Sequence, residues 1–487
     1  MEGGDGKRRR RGAEGGGGGG GEDRISELPD ALRLQILSLL PLKSAIRTGA
    51  LSSRWRGLWE QRWPEPSSLD LRLPAGAAAG AAARAGMFAG LQRRGSRRAD
   101  RFYLAFHAGQ LTQAELRRCA DYAAACGVED LHLRLEGGAG RGSRGGTRRA
   151  GTLTVQFPVG SPLLARLSVR GLHLTASANA MVATLEVVHL HSVSLTDAAL
   201  RRVVAASPRL RELELRYCRH LRRIDFTTVG VANLRSLTIV DCSRATELRA
   251  PVVPRLRSFR FSGAFFSSNI FSGGAAQSLE HLYLCSGGPE AGLPTTNLPR
   301  AVPHLSNLTV LTICSIALQT TMERSLHSLK ELHFLMFGMA NSNLSDIYSF
   351  LKTCRCPQLE RLFVQLPTNT IDSFTENFME VAEEGPPKGG LENLSLAKIT
   401  NFKGYRNEMQ LVEFLLREAS SLRKLFLIAP KEDHPQGLRK IQSHVLPHYL
   451  KNEVLLLERA SANAQILFSE TDNPQIQPLH SEVFLRF

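Results

Sequence analysis

The sequence of 487 residues holds no apolar run approaching the ~18–20 residues needed to cross a bilayer, which argues against a membrane-spanning helix. Aromatic residues are scarce at 7%, with three tryptophans, too few to suggest a surface on which nucleic-acid bases stack in series. Lysine is nearly missing from the first two thirds: Lys7 and Lys43 are the only lysines before Lys330, although arginine is abundant. The first residues carry a basic run and poly-glycine but no apolar h-region, so a secretory leader is not expected. A reducing compartment follows, cytoplasm and/or nucleus. The eight cysteines are there expected as thiols rather than as a disulfide framework.

Reaction chemistry is missing as well. Arg141-Gly142-Ser143-Arg144-Gly145 fails as a nucleophile elbow because position 141 is not glycine. No phosphate-cradling Gly-Lys-Ser/Thr loop is present, and no GxGxxG opens a helix after a strand. Cys354-Arg355-Cys356 has no second pair or nearby histidine at zinc-ligand spacing. His444 and His448 are four apart, but Pro447 argues against a regular helix and no acidic residue lies between them. Catalytic residues, metal and cofactor are therefore all expected to be none.

What is there begins with charge. The balance of 61 basic against 45 acidic residues gives +16, which permits contact with an anionic partner without establishing one. Residues 1–23, with Lys7-Arg8-Arg9-Arg10-Arg11 and Gly15 to Gly21, can bury no apolar area and are expected to be a disordered tail. The basic run reads equally as a nuclear address or as a solvated charge cluster. A Gly- and Arg-rich stretch at about 137–151 is expected as a disordered surface insertion.

Order is expected from Arg24. Leu32, Ile36 and Leu39 recur on one helical face, which Leu37 and Leu40 widen; Pro29 suits the first turn and Pro41 stops the helix. A short second helix follows around Ala45 and Ile46. Ser52 or Ser53 is expected to cap a third, with Trp55, Trp59 and Trp63 on one face. Three helices in about forty residues are short of core and call for a partner or the rest of the chain.

From about residue 68 a different period takes over, Leu-x-x-Leu-x-Leu with apolar substitutes. It runs from Leu185-Val188-Leu190 through Leu210-Leu213-Leu215 to Leu422-Leu425-Leu427, with weaker versions at Val128-Leu131-Leu133 and Leu164-Leu167-Val169. Leucines 210 and 234 are 24 apart and leucines 308 and 329 are 21 apart, within the leucine-rich-repeat range. Helical segments are expected between strands at Thr112 to Cys126, Thr196 to Ala206, Ser345 to Cys354 and Asn407 to Ala419, with Thr112, Thr196 and Ser345 as N-caps. Strand alternating with helix at a repeat period predicts an α/β fold, a curved parallel solenoid or horseshoe. Cys218 and Cys242, three residues past a strand leucine, occupy the place where such repeats satisfy backbone groups.

Leu28-Pro29, Ile36-Leu37, Leu40-Pro41, Trp55-Arg56 and Leu58-Trp59 resemble the F-box. The resemblance implies a three-helix unit docking on a Skp-type adaptor, and through it on a cullin scaffold. Leu28, Pro29, Ile36, Leu37, Leu40, Pro41 and Trp55 would then lie at or just behind the adaptor interface. Lys398-Ile399, Phe402, Gly404, Asn407-Glu408 and later Leu455-Leu456-Leu457 and Ile466-Leu467-Phe468 resemble the FBD region found behind repeats in plant F-box proteins, or equally a capping repeat. The organisation implied is a tail at 1–23, an F-box at 24–64, a solenoid at 65–390 and an FBD-like cap at 391–487.

Residues flanking the last two leucines of each repeat alternate toward the open sheet face. From these, His189, Glu214, Tyr283, Arg361 and Phe363 are the candidate contacts for a target protein whose identity the sequence does not give. The face is chemically mixed rather than a basic stripe, which argues against a nucleic-acid groove. The function implied is a non-catalytic substrate receptor of a ubiquitin ligase. The alternatives are a repeat scaffold without ubiquitin transfer and, third, a solenoid binding nucleic acid through its +16 charge. No membrane partner is expected.

Overall fold

The computed structural model describes residues 28–62, 67–137, 153–178, 181–227, 231–245, 247–249, 253–263, 277–285, 305–318, 326–368, 385–430 and 446–484. The tail at 1–23, the insertion at 137–151 beyond Gly137, Trp63 and His444 lie outside the described residues. Two compact units result, residues 1–67 and 68–487.

In the first unit, α1 (Asp30–Leu39) starts directly after Pro29, and α2 (Leu42–Arg47) directly after Pro41. Each proline fixes φ near the helical value and lacks the N–H that a helix start leaves unpaired. The expected third helix is instead two 3-10 turns, Ser53–Trp55 and Leu58–Gln61. Gly57 between them sits at φ +80°, a left-handed step that no α-helix contains. Ser52 occupies the N-cap place of the first turn without a side-chain capping bond. Trp55 is buried and Trp59 half-buried, so the tryptophans do not form one helical stripe. Leu37, Ala45 and Trp55 make the fully buried core, with Leu34, Leu40, Leu58 and Trp59 packed around it.

The second unit is built on one parallel sheet. Its first strands are β1 (Ser68–Arg72), β2 (Arg101–His107), β3 (Asp130–Glu136), β5 (Arg166–Arg170), β7 (Val187–His191) and β8 (Glu212–Arg216). The sheet continues with β10 (Ser236–Val240), β12 (Ser258–Ser262), β13 (His281–Cys285), β14 (Val310–Cys314) and β15 (Glu331–Leu335). It ends with β16 (Arg361–Gln365), β17 (Leu396–Thr400), β18 (Lys424–Ile428) and β19 (Gln465–Ser469). The small pairs β4 (Thr154–Phe157) with β6 (His173–Ala176), and β9 (Arg223–Asp225) with β11 (Glu247–Arg249), stand apart from it. The strands after residue 391 extend the same sheet, so no structural boundary falls at 390.

Register explains the repeat. Leu213, Leu237, Phe259, Leu282, Leu311, Leu332 and Leu362 pair in succession, and all are at most 1% exposed. Successive strand side chains point to opposite faces, so second and fourth positions fill the core and first, third and fifth face out. At the end of many strands the chain takes one left-handed residue: Gly171, Ser192, Tyr217, Asp241 and Asn401 have φ between +46° and +73°. At the first four the N–H of that residue donates to the last carbonyl of the neighbouring strand, as Ser192 N to Arg216 O at 2.7 Å and Tyr217 N to Val240 O at 2.8 Å, while after Asn401 the donor to Ile428 O is Phe402 N. The turn therefore leaves the sheet without orphaning a backbone donor.

Helices cross between strands. In α4 (Gln113–Ala125), Thr112 and Glu115 form a reciprocal capping box; in α5 (Asp197–Ala205), the Thr196 hydroxyl accepts from Ala199 N at 3.1 Å. The helix expected from Ser345 starts earlier, at Asn341, and Ser345 lies inside it; Asn343 Oδ1, not Ser345, accepts the free N–H of Ala340. An 18-residue helix, α3 (Ala77–Arg94), has no counterpart in the sequence reading, because its Ala- and Gly-rich composition carries little apolar period.

Gly171 tests the turn. A Cβ there would lie 3.0 Å from Leu135 O and 3.1 Å from Leu135 Cβ, on top of the left-handed φ of +73°. Gly171→Ala should lower stability by about 1–2 kcal/mol or more in chemical denaturation, whereas Ser192→Gly, at an equivalent turn, should be neutral or mildly stabilising.

Candidate functional site

Two surfaces stand out, one on each unit. On the helical unit, Leu32 (46% exposed), Ile36 (38%), Leu39 (80%), Ile46 (46%) and Leu51 (64%) face solvent. The stripe Leu32, Ile36, Leu39 is thus the outward side of α1, while Leu37 points into the core. Of the residues named from sequence, Pro29 and Pro41 are exposed and Leu28 and Leu40 half-buried; Leu37 and Trp55 stand behind as packing. Arg33 was not foreseen. It is 2% exposed, donates Nε to Leu28 O at 2.9 Å and Nη1 to Arg54 O at 2.6 Å, and pairs with Asp30. It ties the segment before α1 to the turn carrying Trp55. Such concentrated apolar exposure on so small a core makes this patch a candidate interface.

On the second unit the site is the open sheet face. Its middle row, at the third strand position, reads His189, Glu214, Thr238, Arg260, Tyr283, Thr312, His333, Phe363 and Lys398 in unbroken register. His189 and Glu214 are register neighbours, as their spacing implied. His189 Nε2 lies 2.9 Å from Glu212 Oε1, and Glu214 grips the Arg216 guanidinium. Farther along, the row is covered. Residues 476–484, which form no helix or strand, run across the sheet from β17 back toward β8. Lys398 Nζ donates to Ile476 O at 2.6 Å and pairs with Asp472. Arg361 Nη2 donates to Gln477 O at 2.9 Å, and Glu331 Oε1 accepts from Leu479 N at 2.6 Å. Thr312 Oγ1 and His480 Nδ1 are 2.9 Å apart. Tyr283 OH accepts from Phe484 N at 3.0 Å, and Ser262 Oγ donates to Phe484 O at 3.3 Å.

This covering corrects two expectations. Tyr283 is 0% exposed under the Phe484 ring, 5.1 Å away and tilted edge-on. Phe363 is 2% exposed, edge-on to His333 and beneath the Arg361 guanidinium. The strand alternation alone places both open to a target. Arg361 keeps partial exposure but is committed to Glu331 at 2.8 Å and to Gln477. His189 has no contact with the segment, whereas Glu214 shares the Arg216 guanidinium with Glu482.

The densest contact surrounds Glu482 and Phe484. Arg216 makes a bidentate pair with Glu482, Nη2 to Oε2 at 3.0 Å. Arg260 donates Nη2 to Glu482 O at 3.1 Å. The guanidinium carbons of Arg216 and Arg260 lie 4.8 and 4.4 Å from the Phe484 ring centre, cation–π distances. The hydrogen bond from Arg216 holds the Glu482 carboxyl below its usual range. Burial lowers Arg260 against the opposing pull of Glu482.

The cysteines behave as the repeat pattern implied. Cys218 Sγ lies 3.5 Å from Leu190 O, and Cys242 Sγ 3.8 Å from Leu215 O, serving backbone carbonyls. All eight are free and buried, and among the described residues no group of three or more His, Cys, Asp or Glu could hold a metal. Among the same residues no helix is long and apolar enough to cross a membrane.

Comparison with known proteins agrees with this geometry. The family described as "At1g61320/AtMIF1, LRR domain" matches residues 162–464, well over half of the chain, and the F-box domain matches residues 25–64. The chain is 23% identical over 483 residues to the putative F-box/LRR-repeat protein At5g54820 of Arabidopsis thaliana, covering 92% of this chain and 98% of that one. It is 28% identical over 225 residues to the F-box/LRR-repeat protein At3g26922 of the same plant, 45% of this chain and 68% of the relative. A stretch of 38 residues, 8% of each chain, is 71% identical to the F-box/FBD/LRR-repeat protein At2g04230, also of Arabidopsis thaliana.

Buried histidines make the covered face sensitive to acid. Burial first, then neighbouring cationic groups, pushes His480 and His333 down to about 3, against about 6.5 in the unfolded chain. Between those values the unfolded chain binds protons that the folded chain refuses, so this stability is complete above pH 6.5 and falls as pH drops. Each histidine contributes a slope of up to about 1.4 kcal/mol per pH unit. His480→Gln should therefore flatten the loss of stability between pH 7 and pH 5, read from denaturation midpoints.

Proposed function

The chain belongs to the F-box/leucine-rich-repeat proteins of plants, and from that premise we propose that it is the substrate-recognition subunit of a cullin-based (SCF-type) ubiquitin ligase. Its F-box binds a Skp-type adaptor, through which a cullin scaffold is reached, and its repeats hold a target protein. The observation that carries this reading is the patch of Leu32, Ile36, Leu39, Ile46 and Leu51, exposed on a unit whose own core has three fully buried side chains. A unit so poor in core is stabilised by burying that patch on a partner. Leu28, Pro29, Ile36, Leu40 and Pro41 are assigned to the contact itself, and Leu37 and Trp55 to the packing that holds their shape.

A receptor of this kind breaks no bond. It raises the effective concentration of a target near an activated ubiquitin carried elsewhere in the complex. The scarcity of its own lysines before Lys330 fits that position, since only lysine offers a nucleophilic amine near neutral pH. Residues 391–487 are read as FBD-like, a reading supported by the FBD-named relative and by the way β17 to β19 close the sheet. The protein acts in the cytoplasm and/or nucleus, where buried free thiols stay reduced.

Anchors buried at protein interfaces typically cost ~2 kcal/mol or more each when truncated. Leu28→Ala with Pro29→Ala, and separately Leu39→Asp, should each abolish co-purification of a Skp-type adaptor while the circular-dichroism spectrum of the solenoid is unchanged. Full adaptor recovery by both variants would remove the F-box role. Adaptor recovery without any cullin in the wild-type complex would make the protein a scaffold rather than a ligase subunit.

A further inference from the structure

The segment at 476–484 is held in an unusual way for part of a solenoid. It adds no strand, and its backbone is gripped by side chains of the sheet. Carbonyls of Ile476, Gln477, Glu482 and Phe484 accept from Lys398, Arg361, Arg260 and Ser262, and the amides of Leu479 and Phe484 donate to Glu331 and Tyr283. Contacts of this kind read an extended backbone of any sequence. Side-chain specificity comes from few positions. Pro478, His480 and Phe484 are buried while Leu479 is 52% exposed, the two-residue alternation of an extended chain with one side toward the sheet. Glu482 is half-exposed, outside that burial alternation, and its carboxylate occupies the Arg216 fork.

Most of the hydrophobic core lies away from the segment, which adds Phe484 to it over Tyr283 and packs Val483 against it. Core residues such as Leu213, Leu237 and Leu282 occupy strand positions that point to the opposite face. What the segment covers is polar or aromatic: Arg260, Tyr283, Thr312, Glu331, His333 and Lys398. Its departure returns mainly charged and hydrogen-bonding groups to water, with Tyr283 and Phe484 the apolar surface uncovered.

We propose that the sheet face around Arg216, Arg260 and Tyr283 is a recognition site for an extended segment of a target protein bearing a carboxylate and, two residues later, an aromatic ring, and that residues 476–484 are its built-in occupant. Two guanidiniums and a tyrosine hydroxyl form the pocket: the fork of Arg216 takes the carboxylate, and the planes of Arg216 and Arg260 receive the ring. A target binds by displacing the chain's own segment, so apparent affinity is reduced by the fraction of molecules in which the site is occupied. The proposal rests on the reading of this face as the target surface, but it needs neither adaptor nor ligase.

The test uses the full chain and a fluorescein-labelled peptide with the sequence of residues 476–484. Titration is followed by anisotropy, and amide hydrogen exchange reports whether the segment is seated. Glu482→Ala with Phe484→Ala in the chain should speed exchange across 476–484, leave the strands protected, and tighten peptide binding at least tenfold over wild type. A control peptide carrying Glu482→Gln and Phe484→Ala should bind at least tenfold more weakly, and Arg260→Met in the loosened chain should remove binding. A released segment over protected strands with no preference for the native peptide would overturn the proposal. If the double variant loses its solenoid spectrum, Glu482→Gln alone is taken through the same titration, and failure to bind the peptide there also overturns it. A negative result leaves the adaptor reading standing, and loss of adaptor binding in the Leu28 and Pro29 variant leaves this site standing.

Discussion

Parallel pairing without register slip is the constraint on which the second unit depends. Each strand meets the next residue for residue, as Ser236↔Glu212 and Leu237↔Leu213 pass directly into Ser258 and Phe259. A slip of one residue would turn every leucine outward and every polar side chain into the core. The left-handed residue after each of several strands protects this alignment, because it ends the strand at a fixed place and still supplies one more ladder bond. With register fixed, a residue's place in the repeat fixes its face. The third position then becomes a continuous row of side chains across the sheet.

That row has two regimes. From His189 to Glu214 it is half-open and its charges pair sideways within the face. From Arg260 to Lys398 it serves the backbone of a segment far away in sequence. The same geometry thus yields both a solvated surface and a lined track, according to whether a chain lies on it. The helical unit uses its apolar side chains differently, keeping Leu37 and Trp55 in its core and leaving Leu39 and Leu51 exposed.

How much of this was legible follows from where each signal resides. The main-sheet strands from β7 to β18 were legible because apolar positions recur at fixed offsets within a few residues, whereas the short pair β9 and β11 was not. The caps at Thr112 and Thr196 were legible because capping is local chemistry. The break at Gly57 was not, since one glycine inside an apparent tryptophan stripe is a weak signal against a helical period. Arg33 hid among surface arginines, and only its carbonyl partners distinguish it. The covering of Tyr283 and Phe363 was out of reach, because it depends on contacts such as Tyr283 with Phe484, 201 residues apart. The available hint was the period-two run His480-x-Glu482-x-Phe484, too short to be told from any polar stretch.

The separation of Arg216 from Glu482, 266 positions, also has a meaning in time. Synthesis at about 5–20 residues per second puts roughly ten seconds to a minute between the two residues leaving the ribosome. Through that interval the strands around Arg216 stack with their face uncovered. An apolar face in that state would invite aggregation, but a row of arginine, threonine and tyrosine is tolerated by water. The polar character of the track therefore suits the nascent chain as well as the finished one, and the order of translation seats the segment after the strands on which it lies.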